Sequence, residues 1–215
     1  MYTLYSAFEK LPDEKREKIL TICIEEFSKT GYEKTSTETI TSRAGISKGI
    51  LFHYFKSKKN LYLYVVDYCR QLIGDKIIEE IKKVKTDDFF ERIKEVVLIK
   101  QRIQYDFLIE TKLVTSATIH PPVELKEQLQ NLLQKNTDQY SGEFLAKLLD
   151  KQLLEGQTSP EKIIELTMLA LDSVTKKYVH LFESKQLEYD DILEKMMPEL
   201  DEYIDIIKYG VYGSR

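Results

Sequence analysis

The sequence predicts an all-helical protein, and three observations carry that prediction. Only 8 Gly and 5 Pro punctuate 215 residues, a sparing use of turn formers that argues for long helices over a turn-rich sheet fold. Apolar residues, 42% of the chain, recur at the i, i+3, i+4 spacing of helix faces. Charged residues, 32% of the chain, are dispersed among them and leave no stretch near the roughly 18 consecutive apolar residues of a membrane span. The length is enough for one or two domains with a real core, which excludes a disordered, collagenous or low-complexity chain.

The first helix opens at Leu11-Pro12-Asp13-Glu14, where proline is tolerated in a first turn and early carboxylates complement the helix dipole. Its apolar positions are Ile19, Ile22, Cys23 and Phe27, and Gly31 supplies the stop. Ser36 or Thr37 caps a second, short helix with Ile40 and Ala44 on one side, ending before Gly45. Ser47 caps a third through about Tyr54. Two short helices joined by a tight glycine-containing turn spell helix-turn-helix, whose second helix enters the major groove of DNA. A fourth helix runs from Ser57 to about Lys83 with Leu61, Tyr64, Val65, Tyr68 and Leu72 on one side, and Gly74 is the one strong breaker within it. Further helices are expected at about Asp87 to Arg102, Tyr105 to Thr118, Val123 to Leu154, Pro160 to Ser184 and Tyr189 to Lys208, about nine in all. His120-Pro121-Pro122 and the run from Gly156 to Pro160 are the clearest breaks.

The net charge of -4 conceals an asymmetry. Through Asn60 there are 11 Lys and Arg against 8 Asp and Glu, whereas the remainder holds 21 against 28. Between Lys34 and Lys59, Lys34, Arg43, Lys48, Lys56, Lys58 and Lys59 stand against a single acid, Glu38. A phosphate backbone favours such a surface, because neutralising phosphates releases condensed counterions. An ordinary solvated face has the same composition, so charge alone leaves the choice open.

The runs Gly31-Tyr32, Thr35-Ser36-Thr37-Glu38-Thr39-Ile40 and Arg43-Ala44-Gly45-Ile46-Ser47-Lys48-Gly49-Ile50-Leu51-Phe52-His53-Tyr54-Phe55-Lys56-Ser57-Lys58 together resemble the N-terminal DNA-binding domain of the TetR family of transcriptional repressors. The likeness keeps the family's spacing throughout; the rest of the chain resembles the family in architecture only. The resemblance implies a helix-turn-helix DNA-binding domain at residues 1–57 and a helical effector-binding and dimerisation domain at residues 58–215. Within the last run Ile46, Leu51 and Phe55 are placed to face inward, and Gly45 allows the sharp turn. The resemblance implies that Ser36 and Thr37 offer hydroxyl or backbone N–H groups to phosphate. It implies that Ser47, Lys48, His53, Tyr54 and Lys58 add backbone contacts, and that Gly49 and Ile50 point toward base edges, where Ile50 meets a thymine methyl. Few of these side chains suit bidentate readout, so DNA shape is expected to carry much of the specificity. Two residues depart from the pattern. Phe52, in the same DNA-facing set, stands where tyrosine is usual and lacks its hydroxyl; Thr41 stands where alanine is usual and adds a hydroxyl near the packing of the second and third helices.

No other chemistry is signalled. His53, His120 and His180 stand far apart and outside any ligand pattern, so no metal or cofactor is expected, and the absence of phosphate loops and nucleophile elbows argues against an enzyme. Cys23 reads as a small core residue, and two cysteines without an apolar leader segment fit a reducing cytoplasm. In the C-terminal part Tyr68, Tyr105, Phe107, Thr111, Thr115, Tyr140, Phe144, Met168, Asp172 and Thr175 are candidates to line a cavity for a mainly apolar effector. The last two helices carry Leu166, Ala170, Val174 and Leu181 on one and Ile192, Met196, Leu200, Tyr203 and Ile207 on the other, more apolar surface than one pair buries. The resemblance implies that these helices form a four-helix bundle across a two-fold axis. The expected protein is therefore a homodimeric, ligand-responsive regulator, a repressor on the family's pattern, on an inverted-repeat operator in double-stranded DNA, with no membrane partner. A helical enzyme using the C-terminal cavity and a protein-interaction scaffold are the alternatives; turnover would mark the first, and the second would lack salt-sensitive DNA binding.

Overall fold

The computed structural model describes residues 5–86, 88–134, 159–184, 186–187 and 189–210. Among these, every regular element is helical: α1 (Ser6–Glu9), α2 (Asp13–Lys34), α3 (Thr37–Ala44), α4 (Lys48–Phe55), α5 (Lys58–Ile81), α6 (Phe89–Asp106), α7 (Leu108–Ile119), a 3-10 turn (Val123–Leu125), α8 (Lys126–Gln134), α9 (Pro160–Glu183) and α10 (Tyr189–Tyr209). They pack into two compact units, residues 1–79 with 103–137 and residues 80–102 with 138–215.

The first unit is built on the apolar face of α2, where Ile19, Leu20, Ile22, Cys23, Ile24 and Phe27 are buried. Ile40 and Ala44 of α3, Leu51 and Phe55 of α4, and Leu61, Val65, Val66 and Cys69 of α5 close on it. Helix α7 lies against α2 and adds Leu113 and Ala117 to the same core; Leu125 and Leu129 complete it. The sequence pattern misses α1, whose four residues are too few to show a period. Its Phe8 is wholly buried, with ring centroids 4.7 Å from Phe55 and 5.5 Å from Tyr64. Tyr5 stands 4.7 Å from Tyr64 in an edge-on contact, so the short helix seals the core with aromatic rings.

Two expected helix limits also change. No breaker occupies Ile103 or Gln104, and α6 runs on past Arg102 to Asp106 before the backbone opens at Phe107 (φ -112°, ψ 49°). The helix expected at Val123 to Leu154 begins as a 3-10 turn and continues as α8; its part beyond Gln134 lies outside the described residues.

In the second unit α9 and α10 pack on each other. Val174, Tyr178, Ile192, Met196, Leu200 and Ile204 form their core together with Phe89, Ile93 and Val97 of α6. Lys94 ties α6 to α10 through Asp201 (2.7 Å) and also meets Glu91 (2.9 Å). Pro198, which removes one helical donor, stands on the exposed side of α10.

Candidate nucleic-acid interface

The helix-turn-helix is fixed at each end by local chemistry. Ser36, extended at φ -94°, accepts from the backbone N–H of Glu38 (3.2 Å) and Thr39 (3.4 Å), and Ser47 accepts from that of Ile50 (3.2 Å). Between the helices Gly45 takes φ 69°, where a side chain would be strained. The Ile46 N–H then donates to the Thr41 carbonyl (3.1 Å) and the Gly45 N–H to that of Ser42 (3.3 Å), the paired closure of a Schellman turn. The unusual Thr41 is buried without cost to hydrogen bonding, because its hydroxyl donates to the Glu38 carbonyl at 3.0 Å. Arg43 clasps α3 to α2 by pairing with Glu25 and, at 2.7 Å, with Glu26.

Helix α4 has two distinct faces. Leu51, Tyr54 and Phe55 are buried; Lys48, Gly49, Ile50 and His53 are exposed, Ile50 at 39%; Phe52 is half-buried. A Cβ on Gly49 would come no nearer than 3.8 Å to Ser47 Oγ, so nothing in the described residues requires a glycine there. Yet glycine inside a helix costs about 1 kcal/mol relative to alanine.

The residues expected to face DNA thus divide by position on their helices. Ser36, Ser47, Lys48, Gly49, Ile50 and His53 lie around the open side of α3 and α4. Thr37 is buried, and Tyr54, three positions after Leu51, turns its ring into the core beside Phe8 (5.7 Å). Lys58 is half-buried, donating to the Glu33 carbonyl (3.1 Å) with its ammonium 4.9 Å over the Tyr32 ring. The Tyr32 hydroxyl in turn donates to Glu124, and burial, reinforced by that bond, pushes its pKa up to about 12. Glu38, noted in the sequence only as the lone acid of a basic stretch, pairs with Lys48 and accepts from Ser36 at 2.8 Å. The signal for it was its place two residues after a capping serine.

Of the expected effector residues, Tyr68, Phe107, Thr111 and Thr115 are half-buried in the first unit, and Tyr105 is exposed. Thr111 Oγ1 is buried with no hydrogen-bond partner. Met168 and Thr175, half-buried, and Asp172 belong to the second unit; Asp172 is exposed and paired with Lys176 one turn on (2.6 Å), which takes it away from a buried anchoring role. Tyr140 and Phe144 lie outside the described residues.

The expected dimer residues divide as well. Val174, Ile192, Met196 and Leu200 are in the chain's own core, where α6 covers them, so they offer no surface to a second copy. Ala170, Leu181 and Ile207 are half-buried, while Leu166 and Tyr203 are exposed at 54% and 40%. Exposed beside them are Leu169, Val179, Ile206 and Tyr209, so the open apolar face shares Leu166 and Tyr203 with the expected one and extends past it on each helix. Cys23 and Cys69 are free thiols and buried. No helix among the described residues is long and apolar enough to cross a membrane.

The family model for bacterial regulatory proteins, tetR family, matches residues 19–65, from the first buried residue of α2 into α5. Residues 19–65 therefore match the DNA-binding domain of the TetR family. It is similar to the HTH-type transcriptional regulator RutR of Escherichia coli O157:H7, 30% identical over 129 residues that cover 59% of this chain and 58% of RutR. It is also similar to the HTH-type transcriptional activator FasR of Mycolicibacterium smegmatis, 41% identical over 58 residues, 26% of each protein. Among solved structures, a TetR family transcriptional regulator from Chloroflexus aurantiacus J-10-FL aligns over 95% of this chain and 96% of its own, with a TM-score of 0.62 at 23% identity, a likeness of fold. The chain spans a little over half of the length of one relative it matches and a quarter of the other.

Proposed function

We propose that this chain regulates transcription by binding an inverted-repeat operator as a homodimer, and that a small, mainly apolar effector lowers its DNA affinity. Residues 1–57 supply the DNA contacts and residues 58–215 the effector and dimer contacts. The observation that carries the DNA reading is the outward face of α4, where Lys48, Gly49, Ile50 and His53 are exposed and a glycine stands where the chain itself leaves room for a side chain. A glycine that packing does not ask for suits the close approach of another backbone from outside. The homodimer is supported by the exposed apolar residues of α9 and α10, since a two-fold protein suits a two-fold operator. The buried, unpartnered hydroxyl of Thr111 supports an effector that accepts or donates one hydrogen bond there.

Selection of duplexes from a random pool tests the reading directly. An enriched inverted repeat, bound with an affinity that falls steeply with salt, is the expected result. Lys48→Ala should weaken binding to all sequences and flatten the salt slope by about one unit, whereas Ile50→Ala should relax preference at one base position by about 1 kcal/mol. A pool without an enriched motif, with binding insensitive to salt, overturns the proposal. Repression is the proposed direction. A reporter behind the recovered operator should rise when the protein is withdrawn, and a fall would group it with activators such as FasR.

A further inference from the structure

Three groups that the DNA-binding reading assigns to phosphate converge in the free protein on a single carboxylate. Ser36 Oγ donates to Glu38 Oε2 at 2.8 Å, Thr37 Oγ1 lies 3.4 Å from the same oxygen, and Lys48 Nζ, arriving from α4, pairs with Oε1. The donors therefore come from two helices and meet at one anion on the open side of the helix-turn-helix. A carboxylate and a phosphodiester offer such donors the same thing, one negative charge shared by two acceptor oxygens. We propose that Glu38 is an internal stand-in for a backbone phosphate, which a phosphate of the duplex must displace before Ser36 and Lys48 can hold DNA.

This inference rests on the proposed DNA-binding reading and adds to it a residue that opposes binding. The pair is built to be displaced. Its side chains are 53% and 66% exposed, and an ion pair so open to water is weak, so exchanging one anion for another is easy. Lys48 first and Ser36 second hold the Glu38 carboxyl down at about 2, so it is an anion at any pH where duplex DNA is stable. Once displaced, the carboxylate lies beside a phosphate of like sign and takes up a cation. That uptake cancels part of the counterion release that drives association. Because the contact is to backbone, Glu38 lowers affinity for every duplex alike and leaves base preference untouched.

The test uses the full chain, the operator recovered by selection and one unrelated duplex. Glu38→Gln keeps the shape and an acceptor for Ser36 but removes the charge. It should bind both duplexes about 3-fold to 10-fold more tightly near 0.1 M salt and steepen the salt slope by about one unit per chain. On a Lys48→Ala background the gain should largely vanish, and Glu14→Gln, in the first turn of α2, should give little of it. Should the glutamine variant melt early, Glu38→Ala measured the same way replaces it. Unchanged or weaker binding overturns the inference, as does a gain that persists without Lys48, which would be bulk charge alone. So does an altered base preference at one position, which would make Glu38 an acceptor for a cytosine amine instead. Failure of the underlying reading looks different, since wild type itself would then show no salt-dependent binding to either duplex.

Discussion

The helix-turn-helix and the α9–α10 pair solve the same problem, packing amphipathic helices, with opposite degrees of completion. Around α3 and α4 the turns close on themselves: Ser36 and Ser47 cap, the Gly45 turn satisfies two carbonyls, and Arg43 binds two glutamates. Ile50 is the one large apolar side chain exposed among the described residues of this part. Helices α9 and α10 bury one apolar set against α6 and still expose Leu166, Leu169, Val179, Tyr203, Ile206 and Tyr209. Single exposed apolar residues are ordinary, but residues repeating at i, i+3 on two packed helices form a face. The difference teaches that the surface proposed for a polyanion is finished within the chain, whereas the surface proposed for a second copy is left unfinished.

The largest effects should come from testing which side of α10 is finished. Leu200 is 1% exposed, so Leu200→Asp buries a charge without a partner and should cost several kcal/mol, enough to unfold the second unit. Ile206 is 51% exposed, and Ile206→Asp should leave the melting curve of the monomer nearly unchanged while shifting sedimentation toward the monomer. A stable Leu200→Asp dimer would reverse the assignment of core and face. On the other side of the comparison, Phe8→Ala should remove about 3–5 kcal/mol, read from urea unfolding, because it empties an aromatic site shared with Tyr54, Phe55 and Tyr64. A loss below about 1 kcal/mol would mean that α1 merely rests on the unit.

The same contrast explains what could be read from the sequence. The helix-turn-helix was legible because its determinants are local: a serine before each helix, a glycine between them, and Leu51 and Phe55 four positions apart. The second pair was legible only as an excess. Its sequence shows that apolar residues occupy more than one side of each helix, but which side is internal depends on Phe89, Ile93 and Val97, some 80 to 110 positions away in the chain. Val174, Met196 and Leu200 were therefore read as surface for a partner. The exposure of Asp172 has a simpler reason, since Lys176 at i+4 already announced a surface ion pair. Glu38 was visible as a charge, but its convergence with Lys48 required the turn geometry that brings α3 and α4 together.

The smallest expected effect concerns Tyr32, where the closed first unit joins its helix-turn-helix to the turn at Glu124. Tyr32→Phe keeps the ring under Lys58 and removes one hydrogen bond to an exposed carboxylate, so it should cost about 0.5–1.5 kcal/mol, toward the lower end. Its pH dependence is more telling than its size. Folding raises the Tyr32 pKa from 10.0 to about 12, so the folded state favours the neutral phenol. The resulting stabilisation is complete below pH 10 and is lost as pH climbs from there through about 12. Tyr62, also pushed to about 12 by burial, loses stabilisation over the same range in both proteins, and the buried thiols of Cys23 and Cys69, raised from 9.0 to about 12, do so from lower pH. Wild type should therefore lose stability faster than Tyr32→Phe between pH 10 and 12, the two urea midpoints converging as the Tyr32 phenol ionises. Parallel curves across that interval would show that the Tyr32–Glu124 bond carries no energetic weight in joining the two parts of the unit.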